Sequence, residues 1–344
     1  MSTTNSLCLH TALSQLLPGP LQWVPHKELA PGHHLVYFPL NRSGLHLCPD
    51  GSDPYHSPHT SFTRRMWAGG SIEKFSQLTL DGRVAFCLER IVDADVRGPA
   101  GAEKIFVTVL REYTTLPNFE DAFRSLATHG VRSLSNLIHH LTHNVRSIDL
   151  PEYDLKGITE KRTLVFMREP SDEEKKVSLE QEQRIVRVPT EPDYSVTMTP
   201  TPTLLFQYSA LTYNAHRIHL DRSYCREVEG HRDLLVHGPL SLTLMLTVLQ
   251  SWLEAGQIID QIDYRHLAPL YVGQPMRICL KLQKPQGIES EEDPSDEPER
   301  KGRNKWDLWV ENQDGGLCVK GTAETKFKKR FDIPGIFHVV LRYL

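Results

Sequence analysis

Between residues 208 and 238 (YSALTYNAHRIHLDRSYCREVEGHRDLLVHG) the chain gathers groups that can move protons. Asn214, His216, His219 and Asp221 fall within eight residues, and a His237-Gly238 pair stands directly before an apolar run. An imidazole exchanges protons readily near neutrality, because its unperturbed pKa is about 6.5. The run that follows, PLSLTLMLTVLQSWL at 239–253, predicts a buried helix. The start of a helix carries backbone N–H groups without intrahelical partners and the positive end of the helix dipole. Gly238 lets a ligand approach that backbone closely, and Pro239 suits the first helical turn. His219 can thus act as acid and base, while the helix start stabilises a developing oxyanion. Reactions that pass through an enolate need both.

Blander readings of the same histidines exist. His216 and His219, at i,i+3 spacing, lack a third ligand, so neither a metal nor a cofactor is expected there. Structural histidines bonded to backbone are the stronger alternative. His139, His140 and His143 fall off the apolar face of an expected helix and read as solvated. His33 and His34 open an expected strand and read as packing or hydrogen-bonding residues.

The elements that would position these residues are legible in outline. Strands are expected at 33–38, 83–91, 105–110 and 163–167 in the first half, from alternation and from β-branched and aromatic content. Two helices are expected at 118–130 and 134–145. A charged stretch with prolines near its ends, 169–192, reads as a linker whose middle could be a solvated helix. The second half opens with a strand-like apolar run, TLLFQYSALT, ahead of the polar cluster. After the 239–253 helix, strands are expected at 276–282, 306–311 and 317–327, with a mobile acidic loop, GIESEEDPSDEPERKGR, between the first two. The division is therefore 1–168, a linker at 169–192, and 193–344.

Composition narrows the class. The chain has 344 residues, 39% hydrophobic and 24% charged, as expected for a folded protein of about two domains. Its formal charge of −4 offers no basic field for nucleic acid or anionic membranes. The apolar run at 239–253 is too short to span a bilayer comfortably. Six scattered cysteines, Cys8, Cys48, Cys87, Cys225, Cys279 and Cys318, form no CxxC pair and read as reduced thiols in an intracellular, cytoplasmic or mitochondrial, protein. The N-terminal segment has neither a secretory nor a clear transit-peptide pattern.

The run Thr212-Tyr213-Asn214-Ala215-His216-Arg217-Ile218-His219-Leu220-Asp221 resembles the signature of MaoC-like, (R)-specific enoyl hydratases. YSALTYNAHRIHLD, LVHGPL (235–240) and LAPLYVGQ (267–274) resemble more closely the type 2 3-hydroxyacyl-thioester dehydratases of the fungal mitochondrial-type branch. GHHLVYFPL (32–40), LCPDGSD (47–53) and FTRRMWAGGSIE (62–73) are similar to the first unit of the same proteins.

The resemblance implies an α+β double hot-dog fold, two antiparallel sheets each wrapped around a central helix, acting as a monomer of fused units or a homodimer. It implies a substrate carried on CoA or acyl carrier protein and the reversible exchange of water between 3-hydroxyacyl and 2-enoyl thioesters. His219 matches the active histidine, and Gly238 the backbone donor to the thioester oxygen. Asn214 stands where many relatives have an aspartate. An amide cannot accept a proton as a carboxylate can, so His219 would carry the proton traffic and Asn214 would orient water. His216, His237 and Leu240 are assigned to substrate contact. So are Arg64, Arg65 and Trp67, through arginine's suitability for phosphate and tryptophan's for lining a channel; an ion pair for either arginine and core packing for the tryptophan are the structural alternatives. Two other contexts are compatible: a tailoring enzyme of fungal secondary metabolism, and an acyl-binding protein without turnover.

Overall fold

The computed structural model describes residues 1–17, 28–40, 42–58, 61–73, 78–83, 85–115, 157–180, 185–283 and 303–328. Its strands are β1 (Arg64–Glu73), β2 (Ala85–Arg97), β3 (Lys104–Thr115), β4 (Ile158–Met167), β5 (Tyr194–Met198), β6 (Gln257–His266), β7 (Met276–Leu282), β8 (Arg303–Glu311) and β9 (Leu317–Phe327). The helices are α1 (Thr4–Ser14), α2 (Asp172–Glu180), α3 (Pro202–Thr212), α4 (Arg222–Glu227) and α5 (Gly238–Trp252).

The strands expected at 276–282 and 317–327 coincide with β7 and β9, and those at 105–110, 163–167 and 306–311 lie inside β3, β4 and β8. Alternating apolar residues face the core in these segments, and that period identifies a half-buried strand. The window 83–91 is realised mostly as β2. Inside the expected linker, α2 starts with a capping box. The Glu174 amide donates to Ser171 Oγ at 3.2 Å, and the Ser171 amide to Glu174 Oε2 at 2.7 Å. The helices expected at 118–130 and 134–145, the His139, His140 and His143 group, and nearly all of the acidic loop lie outside the described residues.

Two expectations fail. Residues 33–38 are not a strand: His33–Val36 is a 3-10 turn, entered through Gly32 at φ 81°. The turn packs against α5, where a Cβ on Gly32 would lie 3.2 Å from Thr243 Cα, so it never joins the sheet. TLLFQYSALT is likewise helical, as α3. Thr201 Oγ1 accepts from the Leu204 amide at 3.1 Å, Pro202 occupies the first turn, and Leu204, Leu205 and Tyr208 bury one face. Capping and a four-residue apolar repeat outweigh the strand-like look of a short apolar run.

The nine strands among the described residues form one antiparallel sheet in the order β2-β3-β4-β1-β6-β9-β8-β7-β5. The strands of the two units thus join edge to edge, through β1 and β6, with Gly69 opposite Arg265 and Glu73 opposite Gln261. The junction is tight: a Cβ on Gly69 would meet Tyr264 O at 2.4 Å, while on the other side of β1 a Cβ on Gly70 would meet Lys161 O of β4 at 2.0 Å. A register shift lies between Trp67 and Gly69, and the partly buried Trp67 side chain packs against the core.

The sheet curls about α5, which contacts β1, β6, β7 and β8. Leu240, Leu242, Leu244, Met245, Leu246 and Leu249 of α5 have no solvent exposure. Each such side chain contributes roughly 1.5–3 kcal/mol of burial energy, which makes α5 the axis of the core. Its hydroxyls bond back into the helix, Thr243 Oγ1 donating to Pro239 O at 2.9 Å and Thr247 Oγ1 to Thr243 O at 2.7 Å. Among the described residues the first unit has no counterpart to α5; α1 packs instead against α3.

Candidate active site

α3 ends at Tyr213 in the left-handed region, φ 52°, and the chain turns sharply into the polar cluster. Asn214 Oδ1 accepts from the His216 amide at 3.1 Å, a side-chain turn that Asn makes readily. Because the amide N–H demands an acceptor, Oδ1 is fixed there, and Asn214 presents its NH2 group, a donor, to its remaining surroundings. A 3-10 turn, Arg217–His219, follows. Asp221 then caps α4, its Oδ1 accepting from the Tyr224 amide at 3.0 Å, and pairs with Arg217 at 2.7 Å. Asp221 therefore shapes the loop.

His219 is buried, and its Nδ1 lies 2.8 Å from Leu235 O. A carbonyl can only accept, so Nδ1 carries the hydrogen and Nε2 keeps its lone pair. Burial, reinforced by His216 nearby, pulls the His219 pKa down to about 3. The ring is thus a neutral base at physiological pH. His237 stacks on it with ring centroids 3.6 Å apart, while His237 Nε2 lies 2.9 Å from Ser209 Oγ. Since His237 immediately precedes α5, this stack sets His219 at the amino end of the core helix. The amides of Gly238 and Leu240, in the first turn, have no intrahelical acceptor.

The first unit reaches into this loop. Asp50 Oδ2 lies 3.2 Å from His216 Nε2, and Asp50 O accepts from the Arg217 amide at 2.8 Å. Gly51, at φ 81°, lies so close that a Cβ there would fall 2.1 Å from Ala215 O. Burial pushes the Asp50 carboxyl up, but His216 and the Ser52 donors outweigh it and hold the pKa at about 2. His216 is therefore clamped between units.

A cavity of about 910 Å³ has a wall drawn from both units, including Arg64, Arg65 and Trp67 from the first and Asn214, His216, His219 and Gly238 from the second. That volume suits a sizeable small-molecule ligand. Both arginines are ion-paired within the molecule: Arg64 Nε to Glu229 Oε2 at 2.5 Å, and Arg65 to Asp53 Oδ2 at 2.6 Å. Trp67 donates from Nε1 to Tyr264 OH at 2.9 Å, and Arg162 lies over its ring at 4.5 Å. His237 and Leu240 stand behind the wall, His237 supporting His219 and Leu240 packed in the core.

Several residues at the site were missed from sequence. Asp50 lies in the LCPDGSD stretch but 166 positions from its partner, so no local spacing revealed the pair. His266, at the end of β6, lines the cavity as well. Beneath Trp67 lies a buried charged group: Arg162 grips Glu160 through Nε at 2.9 Å and NH2 at 2.7 Å, and Tyr113 OH donates to the same carboxylate. The one available signal was Glu160 and Arg162 at i,i+2, which places both on one face of a strand.

Comparison with known proteins shows the fold and the family. A solved MaoC-like dehydratase aligns with a TM-score of 0.50 at 13% identity, over 80% of this chain and 79% of that one. HtdX from Mycobacterium tuberculosis aligns with a TM-score of 0.51 at 10% identity, over 95% and 97%. The fold is accordingly that of the MaoC-like hot-dog proteins. The family model described as hydroxyacyl-thioester dehydratase type 2 matches residues 32–134 and 131–272, more than half of the sequence, and the chain belongs to that family. It is 28% identical over 259 residues to the mitochondrial hydroxyacyl-thioester dehydratase type 2 of Schizosaccharomyces pombe, covering 74% of this chain and 78% of the relative.

Proposed function

We propose that the protein catalyses the reversible syn dehydration of (3R)-hydroxyacyl thioesters and, in reverse, the hydration of trans-2-enoyl thioesters. The observation that carries this reading is His219, held neutral with Nδ1 tied to Leu235 O, beside the amino end of α5 in a cavity. In the dehydration direction His219 Nε2 removes the α-proton. The electron pair flows into the thioester carbonyl, whose oxygen accepts from the Gly238 N–H. The enolate then collapses, the C3–O bond breaks, and the imidazolium gives its proton to the departing hydroxyl, which leaves as water. An imidazole whose charged form is disfavoured by burial returns that proton readily. Asn214 donates from its NH2 group to the oxygen that leaves as water.

The thioester is carried on CoA or acyl carrier protein, and the first unit completes the acyl cavity. Arg64 and Arg65, both paired, act chiefly as wall residues; His216 holds the loop; His237 buttresses the base. The relative's mitochondrial designation supports a mitochondrial setting, with the cytoplasm as the alternative, and edge-to-edge joining of the units supports a working monomer, with a homodimer as the alternative. No helix among the described residues is long and apolar enough to cross a membrane.

The test is direct. Crotonyl-CoA and longer enoyl-CoAs are supplied, and loss of the conjugated thioester absorbance is followed together with product chirality. Turnover to the (3R) product, abolished in His219→Ala, supports the proposal. Tight binding without turnover favours the acyl-binding alternative that Asn214 raises, and activity confined to unusual branched acyl groups favours a tailoring role.

A further inference from the structure

His266 is the last residue of β6 and forms part of the cavity wall. Its Nε2 is shut off from solvent and has no hydrogen-bond partner among the described residues. A buried polar nitrogen left in this way carries a free-energy penalty, which a suitably placed ligand atom removes. The atom lies beside the amino end of α5: a Cβ built on Gly238 would fall 3.3 Å from both Nε2 and Cε1 of His266. By covalent geometry a Cβ stands about 2.5 Å from its own backbone nitrogen, so Gly238 N and His266 Nε2 are separated by at most about 5.8 Å. Two donors can share one acceptor oxygen, at about 2.9 Å each, up to that same separation. The separation therefore permits a single oxygen to lie within hydrogen-bond reach of both nitrogens.

The ring is held for the purpose. Tyr264 meets it edge to face, with centroids 5.7 Å apart and planes at 87°. Tyr264 is itself anchored by the indole N–H of Trp67. Burial lowers the His266 pKa to about 4, so the imidazole is neutral at physiological pH and keeps one N–H.

We propose that His266 is a further catalytic residue, donating from Nε2–H to the thioester oxygen together with the Gly238 amide. The inference rests on the thioester reading above. As the α-proton leaves, negative charge gathers on that oxygen, and a preorganised donor in a water-poor site stabilises the enolate more than the ground state. His266 supplies hydrogen bonding only; the proton traffic stays with His219.

The experiment uses the full chain with crotonyl-CoA. His266→Ala is expected to lower kcat by about 10²-fold with KM little changed, the signature of a contact that matters in the transition state. His266→Asn, which keeps an N–H donor, recovers part of the loss; His266→Phe, which keeps the bulk, does not, and both serve if the alanine variant folds poorly. A second readout avoids turnover. In a His219→Ala background, the infrared stretch of a 13C-labelled thioester carbonyl is measured on the bound substrate. Removing His266 shifts it to higher frequency. A kcat within threefold of wild type and an unmoved carbonyl stretch would overturn the role of His266 while leaving the hydratase reading intact. A wild-type protein without enoyl-CoA turnover, or full activity in His219→Ala, would instead sink that reading and this inference with it.

Discussion

Replacing Gly238 with alanine adds a single methyl group where the core helix meets both the cavity and the first unit. That methyl would lie 3.1 Å from Trp67 Cβ and 3.3 Å from the His266 ring. Trp67 cannot yield easily, since its backbone is paired on β1 with Leu164 of β4 and its indole is bonded to Tyr264. Overpacking of this kind costs about 1–3 kcal/mol. Alanine in place of glycine in a helix returns up to about 1 kcal/mol. Net destabilisation is therefore about 0–3 kcal/mol, a fall in Tm of up to several degrees. Activity should suffer more. A shift of a few tenths of an ångström in the first turn of α5 moves the oxyanion donors, and misplacement approaching 1 Å can cost about 10²-fold. We expect kcat/KM for crotonyl-CoA to drop by 10- to 100-fold, by the scale of that effect, in a protein that still unfolds cooperatively. Activity within twofold of wild type, with unchanged Tm, would refute the argument that Gly238 is required for close approach.

The remaining predictions follow from other contacts. His219→Ala should reduce turnover by at least about 10²-fold, whereas Asn214→Ala, which removes only an orienting donor, should lose less; equal or reversed losses in steady-state kinetics would overturn the two roles. Buried His33 and His219 and partly buried His231 and His266 have pKa values lowered to about 4, 3, 4 and 4. Their unfolded forms take up protons first as pH falls, so stability is complete above about pH 6.5 and declines towards pH 4, by about 1.4 kcal/mol per pH unit for each histidine. A urea midpoint equal at pH 7.5 and pH 5 would contradict this. Glu160→Gln leaves Arg162 without its buried carboxylate and should destabilise by about 3–5 kcal/mol in urea unfolding; a loss below 1 kcal/mol would show that the pair is dispensable.

The sequence alone determined what depends on neighbours along the chain. The Asn214 and His219 spacing, the His-Gly-Pro entry to α5, the apolar helix and the strands β7 and β9 were legible, because capping, helical propensity and two-residue alternation act over a few positions. Where a short apolar run satisfied both periods, at 33–38 and in α3, packing decided: a glycine turn against α5 in one case, a Thr-Pro cap in the other. Tertiary structure alone decided the partners. Asp50 meets His216 and Arg64 meets Glu229 only because β1 and β6 bring the units edge to edge, and His266 meets the start of α5 only because the second unit's strands pack on that helix. No local period records which distant residue a side chain will face, and the geometry of an oxyanion site is a matter of ångströms between such strangers.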